Sequence, residues 1–164
     1  MILISKCLAG IPCRYDGKAQ KQEAICQWLA NKTEGVDYLL VCPEEAAGLP
    51  IPRNPGEIQN GRGDLVLAGQ GKVLSSAGED YTEAFLLGAE KVMALTQSFP
   101  ITAAVLKEKS PSCGSHLVYD GTFSGKTIPG KGILAIKLAA FDIPLFSEQT
   151  WGDFLQQEKE FSNQ

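Results

Sequence analysis

Apolar runs rich in Val, Ile and Leu alternate along the chain with stretches of helical period, the pattern of β-α units around a parallel sheet. Ile2 to Ser5 reads as a first strand. Lys21 to Asn31 places Ile25, Trp28 and Leu29 on one face of a helix that stops before Gly35, and Asp37 to Val41 follows as a second strand. Leu65 to Leu67 is a shorter third. Ser76 and Glu79 have the spacing of a capping box ahead of a long helix on which Tyr81, Ala84, Phe85, Ala89, Val92 and Leu95 recur at helical spacing. Ile101 to Leu106 is the next strand. Lys131 to Phe141, apolar almost all round, reads as a buried helix, and Pro144 to Phe146 as a last short strand. Thr150 with Asp153 opens a terminal helix carrying Trp151, Phe154 and Leu155. The expected fold class is α/β: a single three-layer domain over residues 1–164, with a mostly parallel central sheet and helices on both faces.

Two stretches have no periodicity, Cys42 to Asp64, which holds four of the nine prolines, and Lys107 to Gly130. Stretches of that length without structure in a compact domain are either functional or wrongly assigned, and the residues they carry favour function. Composition narrows the function. A chain of 164 residues with 44% apolar and 21% charged positions is an ordinary globular domain. A net charge of −4 sets aside non-specific binding to nucleic acid or to an anionic membrane. No apolar run reaches membrane-spanning length, and Met1 to Gly10 lacks the basic and apolar regions of a signal peptide, so a cytoplasmic protein with reduced thiols is expected.

The five cysteines then ask for a role. Cys7 lies just past the first strand, Cys42 ends the second, and Cys113 follows the strand at Ile101 to Leu106. In an open parallel sheet, strand C-termini lie along one edge, where ligands bind, so residues distant in sequence can converge there. Each of the three sits in a Gly- or Pro-containing loop rather than an apolar stripe. Cys26, inside a helix, reads as core, and Cys13 has no assigned role. Three thiolates suit a soft metal centre, either zinc or an iron–sulfur cluster. Zinc would call on His116, the sole histidine, although the local Cys-x-x-Cys pairs of zinc ribbons are absent. A cluster on three cysteines leaves one iron open, and an open Lewis-acid position is what distinguishes catalytic from structural metal sites.

The only three arginines, Arg14, Arg53 and Arg62, all fall in loop segments, and Arg forks recognise planar or anionic groups. Glu44, two residues from Cys42, could move protons beside a metal, with Glu45 the alternative carboxylate; Ser110, three before Cys113, could hold a water or a substrate atom. Gly125 to Gly132 mimics a phosphate-binding loop but lacks its Ser/Thr, and a Cys113–His116 nucleophilic pair stays open.

In combination, Ser5-Lys6-Cys7-Leu8-Ala9-Gly10, Arg14-Tyr15-Asp16-Gly17, Cys42-Pro43-Glu44 with Pro52-Arg53, Ser110-Pro111-Ser112-Cys113-Gly114 and Tyr119-Asp120-Gly121-Thr122-Phe123-Ser124-Gly125 resemble the bacterial thiouracil desulfidase family over nearly the whole chain. The resemblance implies an α/β domain with a 4Fe-4S cluster bound by three cysteines only, here Cys7, Cys42 and Cys113, leaving one open iron. It implies Glu44 and Ser110 as the catalytic pair, and Arg14, Arg53 and Ser112 are the candidate substrate-binding residues. The implied reaction is non-redox removal of sulfur from a small thiolated pyrimidine such as thiouracil. The alternative is a non-catalytic, zinc- or cluster-stabilised protein that binds a small molecule or nucleotide.

Overall fold

The computed structural model describes residues 1–164. The first half runs β1 (Ile2–Ser5), α1 (Glu23–Leu29), β2 (Tyr38–Val41), α2 (Pro43–Ala46), β3 (Gly56–Ile58), α3 (Gly63–Leu67) and β4 (Val73–Ser75). The second half runs α4 (Thr82–Ser98), β5 (Ala103–Leu106), β6 (Leu117–Tyr119), β7 (Thr127–Pro129), α5 (Ile133–Ala140), β8 (Leu145–Ser147) and α6 (Trp151–Ser162). Short 3-10 turns occupy Lys6–Ala9 and Gln59–Gly61.

The central sheet has four parallel strands in the order β2-β1-β5-β8. Ile2 lies opposite Tyr38 on one side and Ala103 on the other, and Ala104 lies opposite Leu145. Successive residues of a strand point to opposite faces, so a strand covered on both sides must be apolar throughout. Leu3 of β1, with Ala104 and Leu106 of β5, enters a core shared with Val66 of α3, Phe85, Ala89 and Val92 of α4, and Ile133, Leu134 and Leu138 of α5. Ile4, Ala103 and Val105 point the other way, to Ile25 of α1 and to Trp151 and Phe154 of α6. Each such large side chain contributes about 1.5–3 kcal/mol by leaving water. The three layers expected from the apolar pattern are therefore present.

α4 and α2 touch so closely that a Cβ on Gly88 would lie 2.0 Å from the Pro43 carbonyl oxygen. Only glycine allows that approach, and it sets the height of α2 against the sheet edge.

Three local expectations need correction. Leu65 to Leu67 is not a strand: it lies in α3, where Val66 turns into the core and Ala68 closes the helix on the Asp64 carbonyl. A run of three apolar residues has no length with which to separate the two periods. Ser76 and Glu79 do not form a capping box. The Ser75 hydroxyl accepts from the Ala77 and Glu79 amides, the Glu79 carboxylate takes Asn54 Nδ2 at 2.8 Å, and α4 starts only at Thr82. The two aperiodic stretches also contain structure: α2 and β3 in the first, and the antiparallel β6–β7 hairpin in the second, while β3 pairs with β4. These strands have three residues each, too short to show alternation. No helix is long and apolar enough to cross a membrane.

Candidate functional site

The strand order reverses between β1 and β5, where the connections leaving the sheet diverge and open a crevice beyond the strand C-termini. A cavity of about 430 Å³ occupies that position. Its wall is built by the segments that leave three adjacent strands. β1 runs into the Lys6–Ala9 turn, closed by Gly10 at φ 91°, where the amides of Gly10 and Ile11 return to the Cys7 and Lys6 carbonyls. β2 runs directly into α2, with Pro43 at its first turn and the Cys42 sulfur accepting from the Glu45 amide. β5 continues through Lys107 into the loop that carries Ser110 and Cys113.

Four thiols line this cavity: Cys7, Cys13, Cys42 and Cys113, all of them free. Cys13 arrives on the loop after the Lys6–Ala9 turn, which is fastened back by Gln20 and Gln22 amides donating to the Cys7 and Leu8 carbonyls. The Cys13 thiol adjoins those of Cys42 and Cys7, and the Cys42 thiol donates to the Cys13 carbonyl oxygen at 3.8 Å. Contact with Cys13 and burial push the Cys42 thiol well up from its ordinary range. Burial does the same to Cys113, opposed by the Ser5 hydroxyl, which donates to its sulfur. Cys13, Cys42 and Cys113 are thus disfavoured as bare thiolates, which suits a cationic metal core beside them. No three Cys, His, Asp or Glu side chains close around a point in the manner of a single-ion site. A multi-iron cluster is larger than a single ion and would take its ligands from separate points on a cavity wall. His116 is not among the wall residues: its ring is half exposed and lies 3.3 Å from Glu108.

Glu44, on the first turn of α2, faces the cavity with Arg53 Nη2 3.3 Å from its Oε1. Burial pushes the Glu44 carboxyl above the ordinary carboxylate range, and the positive charges of Arg53 and Arg14 pull it back. Arg53 is itself tied down by its amide, which donates to the Tyr15 carbonyl at 2.8 Å, and by Nη1, which donates to Pro50. Glu45, the neighbouring carboxylate, is instead occupied by an ion pair with Lys6.

Across the cavity, the Ser110 hydroxyl oxygen accepts from the amides of Ser112 and Cys113, both at 3.1 Å. Both contacts use its lone pairs, so its proton is free to be donated into the cavity. The loop is held by Glu108, whose buried carboxylate accepts from the amides of His116 and Leu117 and from the Ser115 hydroxyl. Burial alone would raise the Glu108 carboxyl; these hydrogen bonds outweigh it and hold it below its ordinary range. Gly132, at the start of α5, packs against the same loop, where a Cβ would stand 2.4 Å from the Ser112 carbonyl carbon.

Of the residues singled out from the sequence, Cys7, Cys42, Cys113, Glu44, Ser110 and Arg14 share the cavity wall. Arg53 and Ser112 do not line it: Arg53 lies behind Glu44, and Ser112 is buried under α5. Arg62 makes a two-pronged pair with Asp64 at the surface, and Cys26 lies apart in α1. The wall also holds Ser5, Tyr119 and Phe123, which lie in motif segments named from the sequence but were given no role there, and Glu57, Lys107 and Glu108, which lie in none. The available signal was position: Ser5, Lys107 and Glu108 are polar residues placed at the ends of otherwise apolar strands.

The family model described as 2-thiouracil desulfurase matches residues 2–150. A Bacillus subtilis (strain 168) protein, YbbK, described as uncharacterized, is 42% identical over 155 residues, spanning 94% of this chain and 100% of its own length. A solved structure titled 4Fe-4S-dependent thiouracil desulfidase TudS superposes with a TM-score of 0.82 at 34% identity, covering 96% of this chain and 97% of that one.

Proposed function

The chain belongs to the 2-thiouracil desulfurase family, and on that premise we propose that it removes sulfur from a thiolated pyrimidine at a 4Fe-4S cluster held by Cys7, Cys42 and Cys113. The observation that carries this reading is the convergence of those three thiols, from the C-terminal ends of three adjacent strands, on one cavity that also contains Glu44 and Ser110. Cys13 is a fourth thiol of the wall, left off the cluster in this assignment.

When bound, the cluster supplies Lewis acidity toward the thione sulfur through an iron that no cysteine occupies. The chain's residues supply the water chemistry. Ser110, its oxygen fixed by two backbone amides, donates its proton to position a water or the substrate ring. Glu44 accepts a proton as that water adds to the ring carbon bearing sulfur, and returns it as the C–S bond breaks. Arg53 orients Glu44, and the charges of Arg53 and Arg14 oppose the rise that burial imposes on its carboxyl. The ring carbon gains oxygen and loses sulfur as hydrosulfide, with no electron transferred, so no oxidant or reductant is required. Proton transfer by a placed carboxylate contributes roughly 10²–10⁴ in rate.

Anaerobic reconstitution with iron and sulfide should give a brown protein that releases sulfide from thiouracil and forms uracil in equal amount. A protein that stays colourless and binds no iron would refute the assignment.

A further inference from the structure

The loop that carries Ser110 and Cys113 is fastened on two sides. On its carbonyl side the first amides of α5 hold it: Ile133 donates to Pro111 and Leu134 to Ser112, both at 2.9 Å, and Gly132 donates to Gly114 at 2.8 Å. Beyond Cys113 the fastening falls to one side chain, Glu108. Its Oε1 accepts from the His116 amide at 2.9 Å and the Leu117 amide at 3.0 Å. Its Oε2 accepts from the Ser115 hydroxyl at 3.2 Å and lies 3.3 Å from His116 Nδ1.

Glu108 is fixed in its turn. Its amide donates to Glu148 Oε2 at 2.9 Å, its carbonyl accepts from Lys107 Nζ at 2.7 Å, and Lys107 pairs with Glu148 Oε1 at 2.9 Å. The Lys107 amide donates to the Ser5 hydroxyl oxygen at 3.0 Å. The carboxylate is therefore mounted on the ends of β1, β5 and β8 together. Lys109, which follows it, has a φ of 66°, in the left-handed region that a long side chain rarely enters. The reversal there lets the Lys109 amide donate to the Leu117 carbonyl while the Leu117 amide returns to Glu108. Such strain persists where the surroundings impose it, and it concentrates at functional sites.

A carboxylate that is 2% exposed is costly unless hydrogen bonds compensate for the lost water. No lysine or arginine pairs with Glu108, since Lys107 is given to Glu148. Its hydrogen bonds all go instead to Ser115, His116 and Leu117, just past Cys113. We propose that Glu108 is a positioning residue: through the backbone of this loop it fixes the Cys113 sulfur and the Ser110 hydroxyl relative to the strand ends, so that one side chain sets both a cluster ligand and a proton donor. This rests on the desulfidase reading and adds the residue that links cluster retention to turnover.

The test compares wild type with Glu108→Ala, Glu108→Asp and Glu108→Gln, each reconstituted anaerobically and measured near neutral pH. Glu108→Asp keeps the charge but draws the oxygens back by a methylene, whereas Glu108→Gln gives up the charge and keeps an oxygen for both amides. Iron release to a chelator and steady-state constants for thiouracil at matched iron content are followed. Glu108→Ala and Glu108→Asp should lose iron roughly 10- to 100-fold faster and lose roughly 10- to 100-fold in kcat, with KM moving much less. Glu108→Gln should stay near wild type in both. Amide hydrogen exchange in the full chain before reconstitution should accelerate at His116 and Leu117 in Glu108→Ala and Glu108→Asp, but not in Glu108→Gln. Should Glu108→Ala fail to fold, the other two variants decide. Wild-type iron release and kcat in Glu108→Asp, or a Glu108→Gln protein more impaired than Glu108→Asp, would overturn the proposal while sulfide release by the wild type leaves the desulfidase reading intact. A wild-type protein that binds no iron and releases no sulfide would overturn both.

Discussion

Arg53 places Nη2 3.3 Å from Glu44 Oε1 with only 3% of its own side chain exposed, so the catalytic candidate is backed by a guanidinium that has no place on the cavity wall. Substrate binding was the role suggested by its loop position; from its place behind Glu44, off the cavity wall, we propose that it positions that carboxylate. Removing one partner of a buried pair leaves the other charge uncompensated, which costs on the order of 3 kcal/mol. Arg53→Ala should therefore lower the urea midpoint and reduce kcat at least about tenfold, with iron content retained. Arg53→Lys should be intermediate, since an ammonium lacks the fork that also engages Pro50. An Arg53→Ala enzyme with full kcat would contradict the positioning role.

Glu44→Gln should keep the brown chromophore and lose roughly 10²–10⁴ in turnover. Glu45→Gln should keep both the chromophore and the turnover, because Glu45 is engaged by Lys6 at the edge of the site. Comparing sulfide release at matched iron content separates the two carboxylates.

The four thiols make a sharper prediction. Cys7→Ser, Cys42→Ser and Cys113→Ser should each lose most of the iron and labile sulfide after anaerobic reconstitution, whereas Cys13→Ser should retain both. Iron loss in Cys13→Ser with retention in Cys7→Ser would exchange the two assignments.

Gly88→Ala should destabilise the protein by about 1–3 kcal/mol, the range for overpacking, because the new methyl group meets the Pro43 carbonyl. Gly152 of α6 is the control, since a Cβ there meets nothing within 4 Å. Gly152→Ala should stabilise by up to about 1 kcal/mol through helix propensity. Thermal unfolding followed by circular dichroism checks both, and only Gly88→Ala should also lower activity, by shifting Glu44.

Glu108 predicts a pH dependence of stability. Its carboxyl is held low in the folded protein, so the stability it contributes is complete above the unfolded value of about 4.3 and is lost as pH falls through the lowered one. The difference in urea midpoint between wild type and Glu108→Gln should be constant above about pH 5 and shrink progressively below about pH 4. A difference that grows on acidification would contradict the sign of the shift.

Elements governed by local period were legible from the residues alone. The four strands of the central sheet and α1, α4, α5 and α6 each carry an apolar pattern or are bounded by turn residues, and they lie where the pattern put them to within a few residues, α4 opening six residues after Ser76. The three-residue strands and α3 were not legible, because so short a segment has no resolvable period and forms only by pairing with a partner elsewhere, as Gly56–Ile58 does with Val73–Ser75.

The site divides on the same physical line. Parallel strands align their C-termini, so thiols just beyond three of them were bound to share an edge, and the loop chemistry around Cys7, Cys42, Glu44, Ser110 and Cys113 could be read in order along the chain. Which further groups join that edge depends on contacts between loops remote in sequence: Tyr15 with Arg53 brings Cys13 and the Arg53 segment together, and Glu57 with Phe123 spans 66 positions. Long-range hydrogen bonds of this kind leave no periodic trace in either partner. Local pattern thus reaches the fold class and the thiols, carboxylate and hydroxyl that gather at the sheet edge, whereas contacts between remote loops place Arg53 behind Glu44, bring Cys13 in as the fourth thiol of the wall and set Phe123, at φ 55°, among its lining residues.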